Sequence, residues 1–64
     1  MTKATMEEII NNEIKELELM QQREANAFEE NEDETTRDMH KSAYERLSAR
    51  KHEALVLRYS LFGY

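Results

Sequence analysis

At 64 residues and without cysteine, the chain is at most one small domain, and neither disulfides nor thiolate-held metal can staple it. Proline is absent and glycine occurs once, a composition that favours helix, and no apolar run approaches the ~20 residues of a membrane span. The net charge of -5 divides unevenly: residues 1–34 carry eleven acids against Lys3, Lys15 and Arg23, and residues 35–64 carry six bases against Asp38, Glu45 and Glu53.

High charge with low mean hydropathy is also the signature of disorder. The apolar residues recur with helical period, however, which a disordered chain has no reason to keep. A small core without staples points to self-association or a protein partner as the stabiliser. The N-terminus lacks a signal-peptide core, and the absence of cysteine fits a reducing compartment, so a cytoplasmic location is expected.

In chain order, Thr5-Met-Glu-Glu8 fits a capping box, with Thr5 as N-cap. Met6, Ile10, Leu17, Met20 and Ala27 then follow at steps of three, four and their sums, and Ile9, Ile14 and Phe28 widen the stripe. The spacing predicts a first helix over about 5–30. Residues 29–36, E-E-N-E-D-E-T-T, break the pattern. Their acids oppose a helix C-terminus, and Asn, Asp and Thr favour turns and caps. A turn over about 31–35 is expected, with Thr35 and Asp38 as a second capping pair.

A second helix is predicted over about 36–62, with a seam of Thr36, His40, Ala43, Leu47, Arg50, Ala54, Leu57 and Leu61. Two helices of nearly equal length make an antiparallel hairpin, all-α and a single domain over 1–64. Folding the chain about residue 33 brings Met6 to Leu61, Ile10 to Leu57, Leu17 to Ala49, Met20 to Leu47 and Phe28 to Met39. It also lays the acidic helix beside the basic one. In that register Glu13 lies within a turn of Arg50, and Glu24 within a turn of Arg46. The residues expected in the core or self-association surface are Met6, Ile10, Leu17, Met20, Phe28, Leu47, Leu57 and Leu61.

The densest apolar run, Ala54 to Tyr64, is closed by the single glycine, Gly63, at a helix C-cap position. It holds more apolar surface than one seam requires. Leu55, Tyr59 and Phe62 are spaced i, i+4, i+7, a separate stripe with Lys51 one turn earlier. With Arg58 and Tyr64 these residues are the candidate partner-binding face, since aromatics and arginine are the usual hot-spot types. Two such hairpins are expected to pair into an antiparallel four-helix bundle that buries this surplus as core, a reading compatible with a docking face at the bundle ends.

No catalytic residue is assigned. The serines lie within predicted helix and none is set in a Gly-x-Ser-x-Gly elbow. No metal or cofactor is expected: the residues three before His40 and His52 are Arg37 and Ala49, so the Glu-x-x-His pattern of carboxylate bundles is missing. Lys41, Arg46, Arg50, Lys51 and Arg58 raise nucleic-acid binding by the second helix, but the chain is acidic overall, with pI ≈ 4.9, and its first helix would repel phosphate.

Residues 52–63, H-E-A-L-V-L-R-Y-S-L-F-G, resemble the first helix of bacterial sigma-factor region 4. The likeness covers this one amphipathic helix and brings no helix-turn-helix, so it implies no DNA-reading element and no family. The expected function is that of a small non-enzymatic regulator or adaptor, of a kind that suits a phage or mobile element. It would act as a homodimer that docks a helical face on a protein partner. A nucleic-acid-associated protein or a structural subunit of a helical assembly is the alternative.

Overall fold

The computed structural model describes residues 2–64. Helix α1 runs from Lys3 to Glu30 and helix α2 from Glu34 to Phe62. They pack against each other along their length in a rod of 47 × 16 × 15 Å. The two-helix hairpin expected from the apolar periodicity is therefore present.

Both helices start earlier than the sequence pattern predicts. The α1 N-cap is Thr2, whose hydroxyl accepts the Thr5 amide at 3.2 Å, so Thr5 sits inside the first turn. Nothing between Thr2 and Thr5 breaks a helix, and the earlier cap adds one turn. Likewise α2 is capped by Asp33 rather than Thr35. The Asp33 carboxylate accepts the Thr36 amide at 2.9 Å and the Thr36 hydroxyl at 2.8 Å.

The Thr36 hydroxyl, and then its amide, hold the Asp33 carboxyl below its ordinary value of 3.8. A depressed carboxyl pKa stabilises the fold above the unfolded value, and that contribution is lost as pH falls through the folded value. Wild type should therefore lose this part of its thermal stability below about pH 4, and Asp33→Ala should lack it at neutral pH. Melting curves at pH 7 and pH 3 compare the two: the gap between them should narrow at low pH.

Only Asn31 to Asp33 connect the helices, a shorter turn than 31–35. Asn31 closes α1 in extended backbone, φ -95 and ψ 136, with its backbone and side-chain N–H groups donating to the Ala27 carbonyl at 3.2 and 2.6 Å. No described residue except Gly63 has positive φ, so the chain reverses without a glycine. Gly63 does what its position predicts, adopting φ 82 and donating to the Tyr59 carbonyl at 2.8 Å.

The register agrees with the expected one to within about a turn. Arg50 meets Glu13 at 3.5 Å, and Gln21 donates to Ser48 at 2.6 Å. Glu24 lines the same groove as Arg46, as expected, and also bonds the His40 ring nitrogen Nδ1 at 2.6 Å. The rotation of α2 differs more. Ile14 and Leu17 are the buried apolar residues, joined by Gln21, all on α1. On α2 the half-buried positions toward the C-terminus are Lys51, Ala54, Leu55, Arg58 and Phe62, while Arg50, Leu57 and Leu61 are exposed.

The α2 seam thus advances by eleven residues, His40 to Lys51 to Phe62. That period follows a nearly straight helix, whereas the heptad count behind Leu57 and Leu61 presumes supercoiling. Lysine and arginine tolerate the seam because their stems cover apolar surface while their heads reach polar groups on α1.

Gln21 is the polar residue buried at the middle of the seam, and Ser48 satisfies it. Ser48→Ala leaves that amide without its partner and should cost about 1–3 kcal/mol in a denaturant melt. Gln21→Leu combined with Ser48→Ala should recover most of the loss.

Candidate functional site

Two ion pairs mark the two long edges of the rod and allow each exposed residue to be placed. On one edge Glu13 meets Arg50. Met6 and Met20 stand seven residues either side of Glu13, and Ala43 and Leu57 seven either side of Arg50, so each trio shares a helical stripe. Met39 and Leu61, eleven residues either side of Arg50, fall on the same stripe. This edge carries exposed apolar side chains between the charged residues Glu13, Glu24, Arg46 and Arg50. Leu57 is 49% exposed, Leu61 41% and Met20 41%. At mid-length it opens into a groove lined by Met20, Glu24, Ala43, Arg46, Leu47 and Arg50.

The other edge is polar. Lys51 reaches Glu18 at 3.9 Å. Toward the chain end, Arg58 donates to the Asn11 side-chain oxygen Oδ1 at 3.1 Å and lies over the Tyr64 ring, 4.4 Å from its centre. Asn11 donates in turn to the Tyr64 hydroxyl at 2.8 Å, and that hydroxyl donates to Glu7 at 2.6 Å. Tyr64 is therefore latched onto α1 across the open end of the hairpin. The low helix propensity of Asn11-Asn12 is the signal in the sequence that could have pointed to it.

The six residues singled out as a partner-binding face therefore do not form one free surface. Lys51, Leu55, Arg58 and Phe62 lie in the seam between the helices, and Lys3 sits 5.8 Å from the Phe62 ring centre. Tyr64 is half-exposed within its latch. Tyr59 alone stands clear, at 68% exposure. The physical reason is that Lys51 and Arg58 find acid and amide partners on α1 only when this stripe faces inward.

The residues assigned to the core divide as well. Leu17 is buried, and Ile10, Phe28 and Leu47 are half-buried, whereas Met6, Met20, Leu57 and Leu61 lie on the apolar edge. Phe28 stacks under the Arg37 guanidinium at 4.3 Å near the turn. The Arg37 Nε is the buried side-chain polar atom left without a hydrogen-bond partner among the described residues.

Among the described residues, no group of three His, Asp or Glu side chains could hold a metal ion, and no helix is long and apolar enough to cross a membrane. Of the α2 cations that could meet phosphate, Arg50 and Lys51 face acids on α1 and Arg58 is held by Asn11. The surface presents an apolar edge, a polar edge and an acidic α1 flank, with Ile9, Leu19, Val56 and Tyr59 also exposed. Compared with protein-family models, curated proteins and solved structures, the chain matches none.

Proposed function

We propose that this protein is a small non-enzymatic binding module, a regulator or adaptor that works by laying the apolar edge of its hairpin against another helical surface. The single observation that carries this reading is the edge itself: Met6, Met20, Leu57 and Leu61 stand exposed along one edge while, among the described residues, Ile14 and Leu17 form the buried apolar core. So small a core leaves the single hairpin little stability in reserve, and helices take most of their stability from packing of an apolar face. Covering the edge supplies that packing, and hairpin pairing into a four-helix bundle is the simplest way to do it.

The test compares wild type with Met20→Glu combined with Leu57→Asp. Both substitutions lie on the half-exposed edge, so the variant should stay helical by circular dichroism but lose association in sedimentation and in cross-linking to any protein partner. A variant that associates like wild type removes the reading. The intramolecular engagement of Arg50, Lys51 and Arg58 argues against nucleic acid as the ligand. Titration with duplex and single-stranded oligonucleotides at two salt concentrations checks this, and steep salt-dependent affinity would revive it.

A further inference from the structure

We infer that the apolar edge takes a second copy of this chain, in a two-fold bundle whose two Asn31–Asp33 turns lie at the same end and in which α1 of each copy packs on α2 of the other. This rests on the bundle proposed above and specifies its geometry. The rod's long face, 47 × 16 Å, is large enough to carry the ~800 Å² per partner of a standard interface. The face is also self-complementary, as a two-fold contact demands. Acids border its α1 half, Glu13 and Glu24. Bases border its α2 half, Arg46 and Arg50.

Two arrangements bury the edge against a copy of itself. With the two-fold axis along the rod, every residue keeps its height. Glu13 then lies level with Arg50 of the second copy, and Met6 level with Leu61 of the second copy, because those heights already match within one hairpin. Acidic helix meets basic helix and apolar meets apolar. With the axis across the rod, α1 lies on α1 and α2 on α2, each reversed about its midpoint. The midpoints of Lys3–Glu30 and Glu34–Phe62 then set Met20 against Glu13 of the second copy and Arg50 against Arg46 of the second copy. Like charges opposed across an interface disfavour it, so the charges select the first arrangement.

The chain lacks cysteine, so one introduced thiol reports cleanly. Glu32→Cys, in the exposed turn, carries a nitroxide label, with the label–label distance read by pulsed electron resonance and the mass by light scattering. The inference expects the mass of two copies and a separation of about 20–30 Å, two helix diameters. A mass of two copies with labels a rod length apart, near 47 Å, overturns this arrangement and leaves the bundle standing. A mass of one copy overturns both.

Discussion

Leu17→Asp is expected to unfold the hairpin. Leu17 is 2% exposed and is the largest fully buried side chain, one turn from Ile14 and one turn from Gln21. Truncation to alanine at such a site costs about 2–5 kcal/mol through lost transfer energy and the cavity left behind. Aspartate adds an unpaired buried charge, which must be neutralised or hydrated by opening the seam. A chain of 64 residues whose buried apolar core, among the described residues, is Ile14 and Leu17 has little stability in reserve. Far-UV circular dichroism should show coil at 25 °C. A variant that keeps a cooperative helical melt would mean that the core lies elsewhere than on the Ile14–Leu17 turn.

Leu57→Asp is expected to behave differently, leaving helices but separating the copies. In a single hairpin Leu57 is half-exposed, and a surface carboxylate on a helix is tolerated. Buried at a two-fold interface, it places two unpaired charges where apolar contacts stood. A penalty of about 3 kcal/mol weakens the dimer roughly a hundredfold. The melting temperature should fall with it, because assembly stabilises only the folded state. Tyr59→Asp is the control. Tyr59 is 68% exposed and lies off the apolar edge, so neither mass nor melting temperature should move. Equal effects of the two substitutions would argue that the edge has no special role.

The sequence predicted the hairpin and its register well, and the rotation of α2 poorly. Helix period, the break at residues 29–36 and the charge division between halves all constrain which residues lie level, and Glu13–Arg50 and Gln21–Ser48 agree with that register. None of these signals says which face of α2 turns inward. Counting apolar residues selects Leu57 and Leu61. The chain instead turns Leu55 and Phe62 inward with Lys51 and Arg58, whose charged heads find Glu18 and Asn11.

That preference is pairwise and depends on α1, so it is invisible in α2 alone. The caps were misplaced by one turn at Thr5 and by two residues at Thr35 for a similar reason. Several Thr and Asp residues can cap, and the cap nearest the chain end of α1, or nearest the turn for α2, lets the helix lengthen. The Tyr64 latch joins residues more than fifty apart and leaves no periodic trace.

These corrections also change what the apolar residues of the sequence mean. The stripe that heptad counting reads as the seam of one hairpin is, in part, an exposed edge shared by both helices. Met6, Met20, Leu57 and Leu61 keep the spacing of a packed surface without being packed within the chain. A sequence that holds such a stripe on both helices, bordered by opposite charges, fits an interface between hairpins better than a solvated face.

Solution mass by light scattering after gel filtration, across a hundredfold range of concentration, tests this most directly. A constant mass of twice 7.7 kDa with full helicity is expected, the apolar edge being covered by a second copy. A constant mass of 7.7 kDa with full helicity and an unchanged melt would contradict it, since the edge would then stand in water without cost to the fold.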